Sequence, residues 1–321
     1  MLSSEQDKVH NNRISFVVPC FNEQEAIPIF YDVMENIIQE KHVIGDMDYE
    51  YWFIDDGSSD RTLDVIKELR VNDMRVHYVS FSRNFGKEAG IYAGLQNATG
   101  GYIVTMDVDL QDSPELLKEM YDAVVLEGYD CAAAKRITRK GEGIVRSFLS
   151  NSFYKVINKM VDIKIESGAR DYRFMSRCMV DAIISMGEYN RFSKGIFSWV
   201  GFKTKWVSYE NVERSVGTTK WSIWKLFSYA IDGIVAFSTK LLNLASALGV
   251  CCCFLAFIGM VFIFIRALMY GDPVAGWPSM MCIIILLGGL QLLCIGILSL
   301  YLSKTYLETK KRPIYIAREK E

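Results

Sequence analysis

Asp107-Val108-Asp109 stands directly after the apolar run Tyr102 to Met106, and Leu110-Gln111-Asp112 follows it. Two carboxylates two residues apart at a strand end can share a hard divalent cation and the diphosphate that such a cation binds. Where the diphosphate is a leaving group, Mg²⁺ or Mn²⁺ neutralises the charge that develops on it. Alone, an Asp-x-Asp pair serves equally well in a turn or cap, so its place at a strand end is what favours chemistry. A second acidic turn, Asp55-Asp56-Gly57-Ser58-Ser59-Asp60, closes the run Tyr51 to Ile54. Turn chemistry accounts for Asp56 to Asp60, with Ser58 or Ser59 capping the next helix, whereas Asp55 is placed to accept hydrogen bonds from a nucleobase or ribose. The first apolar run ends in Val18-Pro19-Cys20-Phe21-Asn22-Glu23, so three strand ends offer polar groups to one cleft.

Such a cleft needs a scaffold that aligns strand ends. From Ile14 to about Ala134, short β-rich runs alternate with longer helical stretches, which predicts an α/β fold with a mostly parallel sheet. The expected strands are Ile14 to Val18, Tyr51 to Ile54, Val76 to Phe81, Tyr102 to Met106 and Tyr129 to Ala133. Ser113-Pro114-Glu115 reads as N-cap, first-turn proline and first-turn acid of a helix. Residues 135–220, rich in Arg, Lys, Gly and aromatics, are expected to mix helices with short antiparallel strands and to complete a catalytic domain over 1–220.

The C-terminal third differs in kind. Half of the 321 residues are hydrophobic, and the excess is local. An amphipathic stretch, 221–240, suits a helix lying at headgroup level. Two apolar spans, 241–270 and 278–303, each exceed the ~20 residues that cross a bilayer. Lys220, Lys225 and Lys240 precede them, and Lys304, Lys310, Lys311, Arg312, Arg318 and Lys320 follow in a basic tail over 304–321. The positive-inside rule therefore puts the catalytic domain and both termini on the cytoplasmic side of a cell membrane crossed twice. The polar stretch Met1 to Asn12 carries no signal-peptide pattern. A net charge of -2 gives no reason to expect nucleic acid as a partner. Of the eight cysteines, five lie in the apolar third and three are scattered without zinc spacing, as expected of reduced thiols.

Val17-Val18-Pro19 with Phe21-Asn22-Glu23, then Asp55-Asp56-Gly57-Ser58-Ser59-Asp60, Arg83-Asn84-Phe85-Gly86-Lys87 and Asp107-Val108-Asp109-Leu110-Gln111-Asp112 resemble family 2 glycosyltransferases. Within these the chain is similar to polyprenyl-phosphate glycosyltransferases, such as bactoprenol glucosyltransferases and dolichyl-phosphate mannose synthases, over nearly its whole length. The resemblance implies a GT-A (Rossmann-like) catalytic domain followed by a two-helix membrane hairpin. It implies that Pro19, Glu23 and Asp55 line a nucleoside pocket and that Asp107 and Val108 meet the ribose and diphosphate. Asp109, with Asp107 and Gln111, would hold the metal ion. Arg214 would lie in a segment near the donor diphosphate, and the assembly would be a homo-oligomer, a tetramer.

The acceptor implied is a lipid phosphate, an anion that arginine binds bidentately while staying charged. Arg136, Arg146 and Arg173 are candidates, and Ser150 shares a helical face with Arg146 four residues before it. The Arg146 and Ser150 spacing resembles the acceptor-phosphate site of the dolichyl-phosphate enzymes. Asp171-Tyr172-Arg173 stands where bacterial relatives carry Gly-Asp-Phe-Arg, whose aspartate is a proposed base. Arg170 replaces that glycine, which leaves open whether Asp171 is a base or orients Arg173. At Ser299-Leu300-Tyr301-Leu302-Ser303-Lys304 relatives carry Gly-Glu-Tyr-x-Gly-Arg, so packing at that membrane edge is a second open point.

The expected activity is inverting transfer of a hexose from a nucleotide diphosphate sugar, UDP-glucose first, to polyprenyl (undecaprenyl) phosphate. Donors of N-acetylglucosamine or mannose are the alternatives. Outside this class stand a nucleotidyltransferase and a non-catalytic membrane-tethered scaffold.

Overall fold

The computed structural model describes residues 12–136, 158, 166, 168–209, 235, 237–270 and 276–321. Its chain order is β1 (Arg13–Cys20), α1 (Ala26–Lys41), β2 (Asp48–Asp55), α2 (Thr62–Asn72), β3 (Val76–Phe81), α3 (Lys87–Asn97), β4 (Tyr102–Thr105), α4 (Leu116–Tyr121), β5 (Cys131–Arg136), β6 (Ala169–Ser176), α5 (Arg177–Ser185), α6 (Ser193–Trp199), β7 (Thr204–Tyr209), α7 (Lys240–Tyr270), α8 (Trp277–Thr309) and β8 (Ala317–Lys320). A π-helical turn, Asp122–Leu126, extends α4.

The eight strands form one sheet in the order β7-β5-β6-β4-β1-β2-β3-β8. The β1/β2, β1/β4, β2/β3 and β5/β7 pairs are parallel, while β6 runs antiparallel to β4 and β5, and β8 antiparallel to β3. The fold is α/β with one mostly parallel sheet, as the alternating segments predict. A parallel sheet is covered on both faces, so its strands are apolar throughout. Phe16, Val17 and Val18 are all fully buried; Phe16 and Val18 join the cluster under α1 and α4, and Val17 the opposite cluster with Trp52, Ile54 and Ala93. On that second face α3 lies close to β1. A Cβ on Gly94 would stand 2.1 Å from Val17 Cγ1, so only glycine permits this approach. The result fixes the first turn of α3, and with it Lys87, above the carboxyl ends of β1 and β4.

The serines expected to cap α2 do other work. The Asp60 carboxylate accepts from Thr62 N at 3.0 Å, whereas Ser58 Oγ accepts from Asn22 N and Ser59 N donates to Asn22 Oδ1. These bonds clamp the turns after β1 and β2 together. Likewise α4 starts at Leu116, with the Ser113 carbonyl rather than its hydroxyl accepting from Leu116 N.

Helices α7 and α8, of 31 and 33 residues, are apolar all round over most of their length, and most of their described large apolar side chains face outward. Two windows in them, Lys240–Gly259 and Ile283–Thr309, are long and apolar enough to cross a membrane. Cys294 and Ala245 meet where the two helices touch. The second helix runs past the expected end at 303, so the first residues of the basic tail are helical. Tyr301 Oη donates to the Ser238 carbonyl at 2.6 Å, which answers how the edge lacking the glycine-rich pattern packs. The rest of the tail returns to the sheet: β8 pairs with β3, Tyr315 stacks on Phe81 at 4.8 Å and Glu319 pairs with Lys67. The 221–240 amphipathic stretch lies outside the described residues except for 235 and 237–240.

Candidate active site

Pro19, Cys20, Phe21, Glu23, Asp56, Asn84, Gly86, Lys87, Asp107, Val108 and Asp109 line one cleft of about 310 Å³ at the carboxyl ends of β1 to β4. Of the residues expected from sequence to meet a donor, Pro19, Glu23, Asp107, Val108 and Asp109 are therefore together. Asp55 sits behind the wall instead. It is 2% exposed, and its carboxylate accepts from Ser80 Oγ at 2.7 Å and Ser58 N at 3.0 Å. Asp56, assigned to turn chemistry, lines the cleft while its two oxygens hold the amides of Phe85 and Gly86. Two turn residues carry unusual backbone: Asn22 and Leu110 have φ of 56° and 52°. Asparagine tolerates that region; leucine does so at a cost of about 1 kcal/mol or more, and the bend it makes follows Asp109 immediately.

The centre of the cleft is a three-member cluster. Lys87 Nζ lies 2.7 Å from Asp107 Oδ1 and 2.6 Å from Asp171 Oδ2, so one ammonium serves carboxylates from two neighbouring strand systems. Partial desolvation pulls the pKa of this lysine down, but the two acids outweigh it and keep the value raised. Burial also raises Asp107, against the pull of Lys87. For Asp171 burial acts the same way, yet Lys87 and Lys194 outweigh it and hold the carboxyl well below its usual range. Lys87 is the residue that sequence reasoning passed over, although it was quoted within a motif. Its signal was position: a lysine directly after a glycine, at the first turn of a helix that follows a strand.

Asp109 stands beside this cluster, with Gln111 donating to it from both the side-chain amide and the backbone N–H, the latter at 3.3 Å. Among the described residues, no group of three or more His, Cys, Asp or Glu side chains is arranged around a metal position. The donor set still suits a hard divalent ion. Mg²⁺ is commonly held by one or two carboxylates, with waters and substrate phosphates completing the shell, and Asp107 and Asp109 supply two. The lysine already drawn onto Asp107 shows the sign of charge that this edge attracts.

Arg173 differs from its expected role. It is 2% exposed, with its guanidinium over Phe197 at 4.3 Å and Trp206 at 5.4 Å, enclosed in the core rather than offered to an acceptor. The cause is strand alternation: Asp171 and Arg173 share a face of β6, and only Asp171 reaches the open end. Arg170 lies on the other face in an ordinary strand conformation and donates to Asp112 at 2.8 Å, a buried acid that Tyr209 Oη also reaches. The family's glycine is thus replaced without strain. Arg136 ends β5 beside that group. Arg146, Ser150 and Arg214 lie outside the described residues.

Comparison with known proteins matches residues 15–184 to the model of "Glycosyl transferase family 2". The chain belongs to glycosyl transferase family 2. This family 2 member is 44% identical to CsbB, a Bacillus subtilis (strain 168) protein described as a glycosyltransferase, over 95% of this chain and 91% of that one. It is 43% identical to the prophage bactoprenol glucosyl transferase homologue of Escherichia coli (strain K12), over 95% and 98% of the two chains. It is 41% identical to the bactoprenol glucosyl transferase of Shigella phage SfX, over 96% and 100%. The protein is therefore an enzyme, a glycosyltransferase, which sets aside the nucleotidyltransferase and scaffold alternatives.

Proposed function

We propose that this glycosyltransferase moves glucose from UDP-glucose to polyprenyl phosphate at the cytoplasmic face of a membrane, with inversion at the anomeric carbon. The observation that carries the proposal is one acidic cleft, lined by Asp107 and Asp109, with Asp107 and Asp171 on Lys87, in a chain that also bears two membrane-length apolar helices. The names of its relatives support glucose and a bactoprenol acceptor. N-acetylglucosamine and mannose donors are the competing sugars, since a hydroxyl's configuration is read by pocket shape.

Pro19 and Glu23 would border the nucleoside, and Asp107 and Val108 the ribose and diphosphate. A divalent ion, Mg²⁺ or Mn²⁺, held by Asp107 and Asp109 with Gln111 orienting the latter, would supply Lewis-acid neutralisation of the departing diphosphate. Lys87, charged and shared, adds positive potential at the same edge and stays fixed by α3. A lipid phosphate is already ionised near neutral pH, so Asp171 need not take a proton from it; held ionised, it orients Lys87. Arg136, with Arg146 and Ser150, would receive the acceptor phosphate, and Arg214 the donor diphosphate. The basic residues after α8 favour a cytoplasmic catalytic domain by the positive-inside rule. A homo-oligomer in the cell membrane completes the proposal.

The test uses full-length protein, undecaprenyl phosphate and a panel of UDP-glucose, UDP-N-acetylglucosamine and GDP-mannose. Glycolipid should form with one donor, stop on chelation, and fall at least about 10³-fold in Asp109→Ala with membrane insertion intact. Undiminished product after chelation or in that variant would remove the metal assignment.

A further inference from the structure

A second cavity, of about 680 Å³, opens where the membrane helix α8 meets the catalytic domain. The two cavities share one wall. In the connection from β3 into α3, Asn84, Gly86 and Lys87 line the donor cleft, while Arg83, Phe85 and Glu88 line the second cavity. Its far side is Tyr301, Lys304, Thr305 and Glu308, the turns in which the apolar surface of α8 gives way to charge. An aromatic ring followed by a lysine marks headgroup depth on a spanning helix. The cavity therefore sits level with lipid phosphates and one loop away from Lys87.

Acids and cations both line it, so their existing partners decide its preference. Glu88 accepts from Ser193 N at 2.9 Å and from the Ser193 hydroxyl; Glu308 accepts from Tyr189 N at 2.9 Å and Asn190 N at 3.2 Å. Burial raises the pKa of Glu188 against the pull of Arg191, which lies beyond ion-pair distance. The arginines are differently placed. Neither Arg83 nor Arg191 forms an ion pair with a carboxylate among the described residues. Arg83 donates to the Asn84 carbonyl and stands 4.0 Å over Phe85; Arg191 donates to main-chain carbonyls of α5 and the turn after it, stands 4.3 Å over Tyr92, and its Nε is buried without a partner. Each guanidinium has five donors, so both retain capacity for an anion. Phe85, Phe192, Tyr301 and Ile314 give the same space apolar walls.

We propose that this juxtamembrane cavity is the entry site for the acceptor: it takes a phosphate monoester carried on a polyprenyl tail, with Arg83 and Arg191 on the phosphate and the aromatic walls on the first isoprene units. This rests on the proposed function for the lipid's identity. It adds a binding site on the membrane side of the Arg83–Glu88 wall, one that Arg136 does not line.

Full-length protein in lipid nanodiscs is assayed with undecaprenyl phosphate, and binding is followed with farnesyl phosphate bearing a photoreactive tail. Arg83→Gln removes one bidentate partner, and Thr305→Trp fills the cavity from an exposed helical position. Each should raise KM for the lipid phosphate about tenfold, leave the calorimetric affinity for UDP-glucose unchanged, and abolish photolabelling of residues 83–89 and 301–308. Arg83→Lys should recover part of the affinity. Unchanged lipid KM in both variants, or labelling confined to α7 and α8 around Ala245 and Cys294, would overturn the entry site. If the unmodified enzyme glycosylates no polyprenyl phosphate, the proposed function fails while photolabelling still decides the cavity.

Discussion

Acids at opposite ends of the same sheet, one buried and the other pair half-buried, are built differently. At the amino ends of the strands Glu50, 3% exposed, accepts from Ser15 Oγ at 2.6 Å, Trp52 Nε1 at 2.9 Å and Thr99 N at 2.9 Å, with Arg13 farther off at 3.5 Å, so several donors, most of them neutral, meet its one charge. At the carboxyl ends Asp107 and Asp171 divide one lysine between them. The first carboxylate is saturated and can only stabilise. The second pair is left short of positive charge, as functional sites are when they await a ligand that completes them. Both exposure and the supply of partners separate the two ends.

Three experiments would sharpen or break that contrast. Lys87→Met should lower transfer by about 10²–10³-fold, as the loss of a placed electrostatic group does, with thermal unfolding little changed; retained activity would make the lysine a structural pin only. Glu50→Gln should act the opposite way, leaving kcat per folded molecule intact while costing about 2 kcal/mol, or roughly 4–8 °C in Tm for a domain of this size. Its sign with pH follows from the hydrogen bonds, which outweigh the cost of burial and hold Glu50 below a free glutamate's value of about 4.3. That stabilisation is present in full above the unfolded pKa and disappears as pH falls through the folded one. Urea midpoints of wild type and Glu50→Gln should therefore keep their gap down to about pH 4 and converge below it; a gap that persists unchanged well below about pH 4 would contradict the assignment. The smallest effect belongs to Arg170→Gly, which deprives Asp112 of its cation but leaves Tyr209. About 1 kcal/mol of stability should go, given that Arg170 is partly exposed, and steady-state transfer should stay within twofold.

The strands that carry the cleft were legible because parallel, doubly covered strands are continuous apolar runs: β1 to β4 lie where alternating segments predict them, and polar residues at their ends meet in space. β6 was harder. Asp171 and Arg173 make it look solvated, whereas one is enclosed by a lysine and the other by aromatic rings contributed from distant sequence. The same distance hid Asp55, whose partner Ser80 arrives from β3. The cap of α2 was misjudged by a single step, because Ser58 and Ser59 are spent on Asn22 across the neighbouring turn. β8 has no apolar pattern at all; Ala317 to Lys320 are suited to an outer strand, where charged side chains discourage further pairing.

That last strand imposes a parity rule on the chain. Its partner, β3, precedes both apolar helices in the sequence, and its own residues follow them. Hydrogen bonds from Val79 to Lys320 can form only if the two segments occupy the same compartment, so the chain crosses a bilayer an even number of times or not at all. A protein inserted with one helix alone would leave the sheet edge bare on one side of the membrane and its missing strand on the other.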